Sequence, residues 1–193
     1  MNKSSLCILV VFLLTLALPG AARTQDSETL LQINSGLACR EQAPTRVFDE
    51  NGADYWLQLG SSRVKIIGRA SWKAQPVMRE GRSWKAYPAD QAVCQWIQRI
   101  TVHHTHGLYT PQSLQTFHQN IADPKADIAY HFFIDEHGSI YEGRPLGIMG
   151  SHSEADNSFN LGIALNGNFQ DQAPQEPQLK ALKDSSLFGD SCE

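Results

Sequence analysis

The feature that most constrains this chain is a β-rich run from Ile97 to Val102 that ends in His103-His104-Thr105-His106-Gly107. Branched residues at this density favour a strand, and the polar cluster behind them marks its end. Thr110-Pro111 follows with the form of a helix start, Thr as N-cap and Pro at the first helical position. Leu114, Phe117, His118 and Ile121 then recur at i, i+3, i+4 and i+7, which predicts a helix burying those four residues and closed by Asp123-Pro124. A second strand is expected over Ile128–Asp135, with a turn at Gly138 and a return over Ser139–Glu142. Leu161–Leu165 reads as a further buried strand, ended by Asn166-Gly167-Asn168.

Outside that stretch the signals are of a different kind. Lys3 supplies a positive start, Leu6 to Leu18 is apolar except for Thr15, and Pro19-Gly20-Ala21-Ala22 follows with small residues. This pattern predicts a signal peptide over residues 1–22 with cleavage after Ala22; the apolar run is well short of the roughly 20 residues of a membrane span. The expected product is a secreted or periplasmic protein with no membrane attachment after cleavage. Export favours disulfides, and three of the four cysteines lie beyond the leader: Cys39, Cys94 and Cys192. Cys39–Cys94 is the expected bridge, tying the extension to the domain. Residues 23–62 read as an extension of unassigned role with short apolar patches at Leu30-Leu31 and Tyr55-Trp56-Leu57, and Val64–Ile67 as the first strand of the domain. Glu176–Lys183 predicts a short helix with Leu179 and Leu182 on one face.

The chain has 193 residues, a net charge of −4 and a pI near 6.0. That length fits one domain, and the charge excludes the basic footprint of a nucleic-acid binder. Two adjacent histidines on a strand face opposite sides, so only one of His103 and His104 can serve a given site. His106 shares the side of His104 if the strand persists. Read alone, each histidine is open to two interpretations, a hydrogen-bonded core residue or a metal ligand.

An ordered series of motifs separates these. Ile66-Ile67-Gly68-Arg69-Ala70-Ser71-Trp72, Ile100-Thr101-Val102-His103-His104-Thr105, Asp127-Ile128-Ala129-Tyr130-His131-Phe132-Phe133-Ile134, Gly138-Ser139-Ile140-Tyr141-Glu142-Gly143-Arg144, Gly150-Ser151-His152 and Asn157 through Phe169 together resemble the peptidoglycan recognition protein and type 2 N-acetylmuramoyl-L-alanine amidase family. The resemblance spans residues 64–182, within a domain set at 63–183. It implies an α/β fold, a central mixed β-sheet flanked by α-helices, and a peptidoglycan groove over a zinc centre of two histidines and one cysteine. It implies cleavage of the amide between the lactyl group of N-acetylmuramic acid and L-alanine, with peptidoglycan or muropeptides as partners of a monomeric protein.

By the same resemblance, His103 matches the first zinc ligand and Tyr130 the catalytic tyrosine. His152, Arg144 and Asn157 are expected to contact substrate or line the groove, and His104 and His106 to support the site by hydrogen bonding. Leu146 and Ala129 stand where many relatives carry Trp and Gly. The family's second histidine ligand and its cysteine ligand follow the last helix, and the aberrant tail, residues 184–193, contains no matching Gly-His or Thr-x-Cys-Pro-Gly segment. A catalytic zinc normally takes three protein ligands. The expectation is therefore an amidase-family domain with an incomplete Zn2+ site, the alternative being a non-catalytic peptidoglycan-binding module.

Overall fold

The structure is a computed structural model and describes residues 9–12, 29–34, 48–59, 62–90 and 97–184. The strands are β1 (Leu9–Phe12), β2 (Thr29–Asn34), β3 (Tyr55–Leu59), β4 (Ser62–Ile67), β5 (Arg99–His104), β6 (Phe132–Ile134), β7 (Ile140–Glu142) and β8 (Asn160–Leu165). They form one mixed sheet in the order β1-β2-β3-β4-β7-β6-β8-β5. The helices are α1 (Pro111–Asn120), between β5 and β6, and α2 (Glu176–Asp184), after β8. The expected α/β class with a mixed sheet and flanking helices is what the chain adopts.

Strand β8 runs parallel to both β5 and β6, and all six of its residues are buried. A strand paired on both edges and covered on both faces reads as a continuous apolar run, which explains why Leu161–Leu165 lacks alternation. Side chains nevertheless alternate between faces. Leu161, Ile163 and Leu165 pack with Phe132, Ile134, Ile66 and Tyr55 on one face, against which Ala181 and Leu182 of α2 lie. Ala164 joins Phe133, Leu114, Ile128 and Trp72 on the other, under α1.

Four sequence expectations change in the fold. Tyr55–Leu59, within the stretch read as an extension, pairs antiparallel with β4, and Tyr55 is a core residue bonded through its hydroxyl to Glu142. The strand expected over Ile128–Asp135 is regular only at Phe132–Ile134, because the backbone before it bends to offer carbonyls to Arg144: Nε of Arg144 donates to Ile128 O (2.8 Å) and its N–H to Tyr130 O (2.9 Å). Helix α1 begins where expected, with Thr110 and Ser113 forming a reciprocal capping box, but its buried face is Leu114, Gln115, His118 and Gln119, with Phe117 exposed. The rotation follows from polar partners: Gln115 bonds Asp127 and Gln119 bonds Ala126 O, so amides take positions an apolar stripe would fill. In α2 the inward residues are Gln178, Ala181 and Leu182, and Leu179 is exposed. The Gln178 amide donates to Asn166 O at 3.0 Å, which ties the helix to the end of β8.

Candidate functional site

Strand register decides which histidine faces the site. His103 lies opposite Ala164, and Thr101 opposite Gly162, so the His103 side chain emerges on the α1 face beside the two smallest residues of β8. Those small side chains leave room there for rings. His103 meets Tyr130 at 5.2 Å and His152 at 5.0 Å between ring centroids, and its Nε2 is 2.9 Å from Nδ1 of His152. Tyr130 also meets His118 of α1 edge-on at 5.5 Å. A third imidazole, His131, lies beneath His152 at 6.0 Å and is fully enclosed.

These rings share a dry environment. Burial, with His104 nearby, lowers the His103 pKa. Burial likewise lowers His152 to about 4, His118 to about 4 and His131 to about 3. Burial, reinforced by Tyr109, raises the Tyr130 phenol. At neutral pH the site is therefore a set of uncharged rings whose polar edges can donate and accept hydrogen bonds.

A buried charged clamp holds the segment that carries Tyr130. Arg69 pairs with Asp127 at 2.7 Å, both essentially without exposure, and also donates to the carbonyls of Gly143 and Glu50. Asp127 takes further bonds from Gln115 Nε2 (2.8 Å) and its neighbour's amide, Ile128 N (2.7 Å). Arg144 grips Ile128 O, Ser83 O and Met149 O. Segment 127–131 is thus fixed from both ends without regular strand pairing. Beside His152 opens a cleft of about 600 Å³ whose lining includes Arg82, Ser83, Lys125, Asn157 and Ser158.

Of the residues singled out from sequence, His103, Tyr130 and His152 come together. Asn157 lines the cleft, and its Oδ1 accepts from the amides of His152 (2.7 Å) and Ser153 (2.9 Å), so it shapes the loop that carries His152. Arg144 is fully buried and donates from Nε and Nη1 to backbone carbonyls, so it supports the groove wall from behind. His104 and His106 do not support the site. Their rings meet at a tilt with centroids 3.7 Å apart, and His104 stacks on Phe169 on the opposite face, its Nδ1 accepting from Phe169 N at 2.9 Å. The strand ends at His104, and His106 turns off it with φ +58°. Leu146 and Ala129 are both buried. Cys39, Cys94 and Cys192 lie outside the described residues.

Sequence reasoning missed His118, His131 and the Arg69–Asp127 clamp as parts of the site. The signal for two of them is present in the sequence: His131 and Asp127 fall inside the motif that carries Tyr130, although neither is given a role there. As for zinc, no three His, Cys, Asp or Glu side chains among the described residues are grouped to hold a metal ion. His103 and His152 supply two imidazoles that bond to each other, and the described donor set does not fit a catalytic zinc.

Comparison with known proteins bears on the family and the fold. The family model described as N-acetylmuramoyl-L-alanine amidase matches residues 93–191. Peptidoglycan-recognition protein SA of Drosophila melanogaster is 35% identical over 125 residues, covering 59% of this chain and 61% of that protein. Peptidoglycan recognition protein 1 of Mus musculus is 32% identical over 135 residues, 65% of this chain and 68% of the relative. Among solved structures, Drosophila peptidoglycan recognition protein SA superposes with a TM-score of 0.52 at 30% identity, over 64% of this chain and 70% of that one. Drosophila peptidoglycan recognition protein SD gives 0.51 at 29%, over 62% and 70%. The chain thus spans less than two thirds of the Drosophila SA relative's full length. The motifs, the mixed sheet and the matches converge on one conclusion, that this chain belongs to the N-acetylmuramoyl-L-alanine amidase family, together with the peptidoglycan recognition proteins.

Proposed function

We propose that this protein binds peptidoglycan fragments at the His103–Tyr130–His152 face and its adjoining cleft, and that it binds zinc weakly and hydrolyses muropeptides negligibly. The observation that carries this reading is the pairing of neutral, partly buried rings with a roomy polar cleft, where no third metal donor stands near His103 among the described residues. Rings whose edges donate and accept suit the amide and hydroxyl groups of a muropeptide, and a few convergent polar groups fix its orientation. When zinc is bound in this family's chemistry it activates water and polarises the scissile carbonyl, work that requires an intact ligand set. Here Tyr130 offers a neutral phenol that can donate to a ligand carbonyl, and the Arg69–Asp127 clamp keeps it in place.

The hydrolase reading is favoured by one specific observation, the contact of His103 with Tyr130. Calorimetric titration with a muramyl peptide, zinc analysis of the purified protein and an assay for released peptide stems decide between the two. Saturable binding with substoichiometric zinc and no release is the expected result. Stoichiometric zinc with turnover would establish the amidase instead, and absence of binding would remove the proposal. We propose in addition that the protein is exported with cleavage after Ala22, which mass spectrometry of the secreted product checks.

A further inference from the structure

His152 matches a residue expected to touch substrate, but its surroundings give it a different task. Its ring stands in a slot made by two glycines: a methyl group on Gly150 or on Gly162 would overlap the ring carbon Cδ2. The fully enclosed His131 meets it edge-on and is itself tied down, with Nε2–H donating to Ile148 O at 2.9 Å and Nδ1 accepting from Gly162 N at 3.0 Å. The ring plane of His152 is therefore set by packing, independently of any ligand.

The protons follow from the partners. Nε2 of His152 faces the carbonyl of Asn160 at 3.3 Å, and a carbonyl can only accept, so Nε2 carries the hydrogen. Nδ1 of a neutral His152 is then a bare acceptor. Two groups reach it, Nε2 of His103 at 2.9 Å and the Ser153 hydroxyl at 3.0 Å. A 2.9 Å separation between two ring nitrogens needs a proton between them, and His103 must supply it. His103 is thereby held as the Nε2–H tautomer, and its Nδ1 keeps a free electron pair. Among the described residues that Nδ1 has no hydrogen-bond partner.

We propose that His152 is a positioning residue that, from its glycine slot, fixes the proton of His103 on Nε2 and leaves His103 Nδ1 as the open acceptor of the site. The chain of bonds runs from His103 through His152 to Asn160 O, and its end is backbone, which cannot change its hydrogen-bonding role. Only the functional consequence rests on the proposed muropeptide site: an open Nδ1 beside a phenol donor gives the site one acceptor and one donor, the pair that an amide N–H and an amide carbonyl require. The contrast with His104 is instructive, because there Nδ1 is already occupied by Phe169 N–H and no such electron pair is left facing a ligand.

The test is nitrogen-15 NMR of the histidine side chains in the ligand-free protein at pH 7. The expected spectrum shows His103 protonated at Nε2 and bare at Nδ1, with a scalar coupling across the hydrogen bond from His103 Nε2 to His152 Nδ1. His152→Phe, which keeps a flat ring in the slot, should abolish the coupling. His152→Asn, whose side-chain oxygen can occupy the place of Nδ1, should keep His103 protonated at Nε2 and its proton slow to exchange. A His103 proton on Nδ1 in the parent protein, or a proton on His152 Nδ1, would overturn the proposal. The parent spectrum decides even if a variant does not fold. No muropeptide is present, so a failure to bind muropeptides would count against the proposed function alone.

Discussion

The two faces of the sheet around β8 are made from alternate residues of the same strands, and they do opposite things. On the α2 face, Leu161, Ile163 and Leu165 close up with Phe132, Ile134 and Ile66 into an apolar core. On the α1 face the same strand shows Gly162 and Ala164: the His152 ring stands against Gly162, and beside the cluster of Ala164, Trp72 and Leu114 lie the other imidazoles, the Tyr130 phenol and the buried Arg69–Asp127 pair, with Arg69 over the Trp72 ring. The first face is stabilised by area removed from water, a non-directional effect that tolerates volume-conserving change. The second depends on polar groups each finding a partner, where a single missing partner leaves a buried group unsatisfied. The proposed binding chemistry sits on the face that is harder to maintain.

The largest expected effect comes from removing the clamp. Asp127→Ala leaves Arg69 buried without its partner, and breaking such a pair by deleting one member costs about 3–5 kcal/mol. Chemical denaturation measures it; a loss below about 1 kcal/mol would show that the α1 face does not lean on this pair.

Acid should separate the faces next. His118 and His131 have folded pKa values of about 4 and about 3, chiefly through burial, against about 6.5 in the unfolded chain. The unfolded chain takes up their protons first, so stability is complete above about pH 6.5 and is lost as pH falls toward 4 and then 3. Thermal melts across that window should fall steadily, and a flat profile from pH 6.5 to 4 would mean that these imidazoles are solvated.

A middling effect is expected at His103. His103→Ala should weaken muropeptide binding about tenfold, the worth of one well-placed hydrogen bond, with melting temperature little changed. Unchanged affinity would move the binding site elsewhere. Smaller still, Ile163→Val on the apolar face should cost about 0.5–1.5 kcal/mol of stability and leave affinity untouched. His104→Ala gives the sharpest contrast with its neighbour: the Phe169 amide loses its acceptor, stability drops by about 1 kcal/mol, and binding stays as it was. Weakened binding in that variant would erase the distinction between the two faces.

Much of this arrangement was legible beforehand because it depends on neighbours in the chain. The start of α1 at Thr110-Pro111 needs only a side-chain oxygen three residues from a free amide, and it forms as expected. Ser62–Ile67 and Asn160–Leu165 declare themselves by branched apolar residues bounded by turn formers. Less legible were positions whose partners are distant. Phe117 fits the apolar stripe of α1, yet it is exposed because Gln115 and Gln119 find acceptors around residues 126 and 127. Arg144 read as a groove residue by its motif, but the bent segment before β6 presents carbonyls that enclose it.

What the sequence by itself determined is the set of elements near the site, the family, and the fact that only one of two adjacent histidines can face a ligand, since alternation along a strand is a local property. The family resemblance points to His103, and the physical reason lies in the docking of β5 beside β8 in a register that sets it against Ala164. The tertiary structure likewise decided that His152 is held between glycines 12 residues apart in the chain, and that Asp127 finds Arg69 across the fold. The physical reason is the same in each case: backbone preferences act over a few residues and are written in them, whereas the burial of a polar group has meaning only once distant segments supply both the enclosure and the partner.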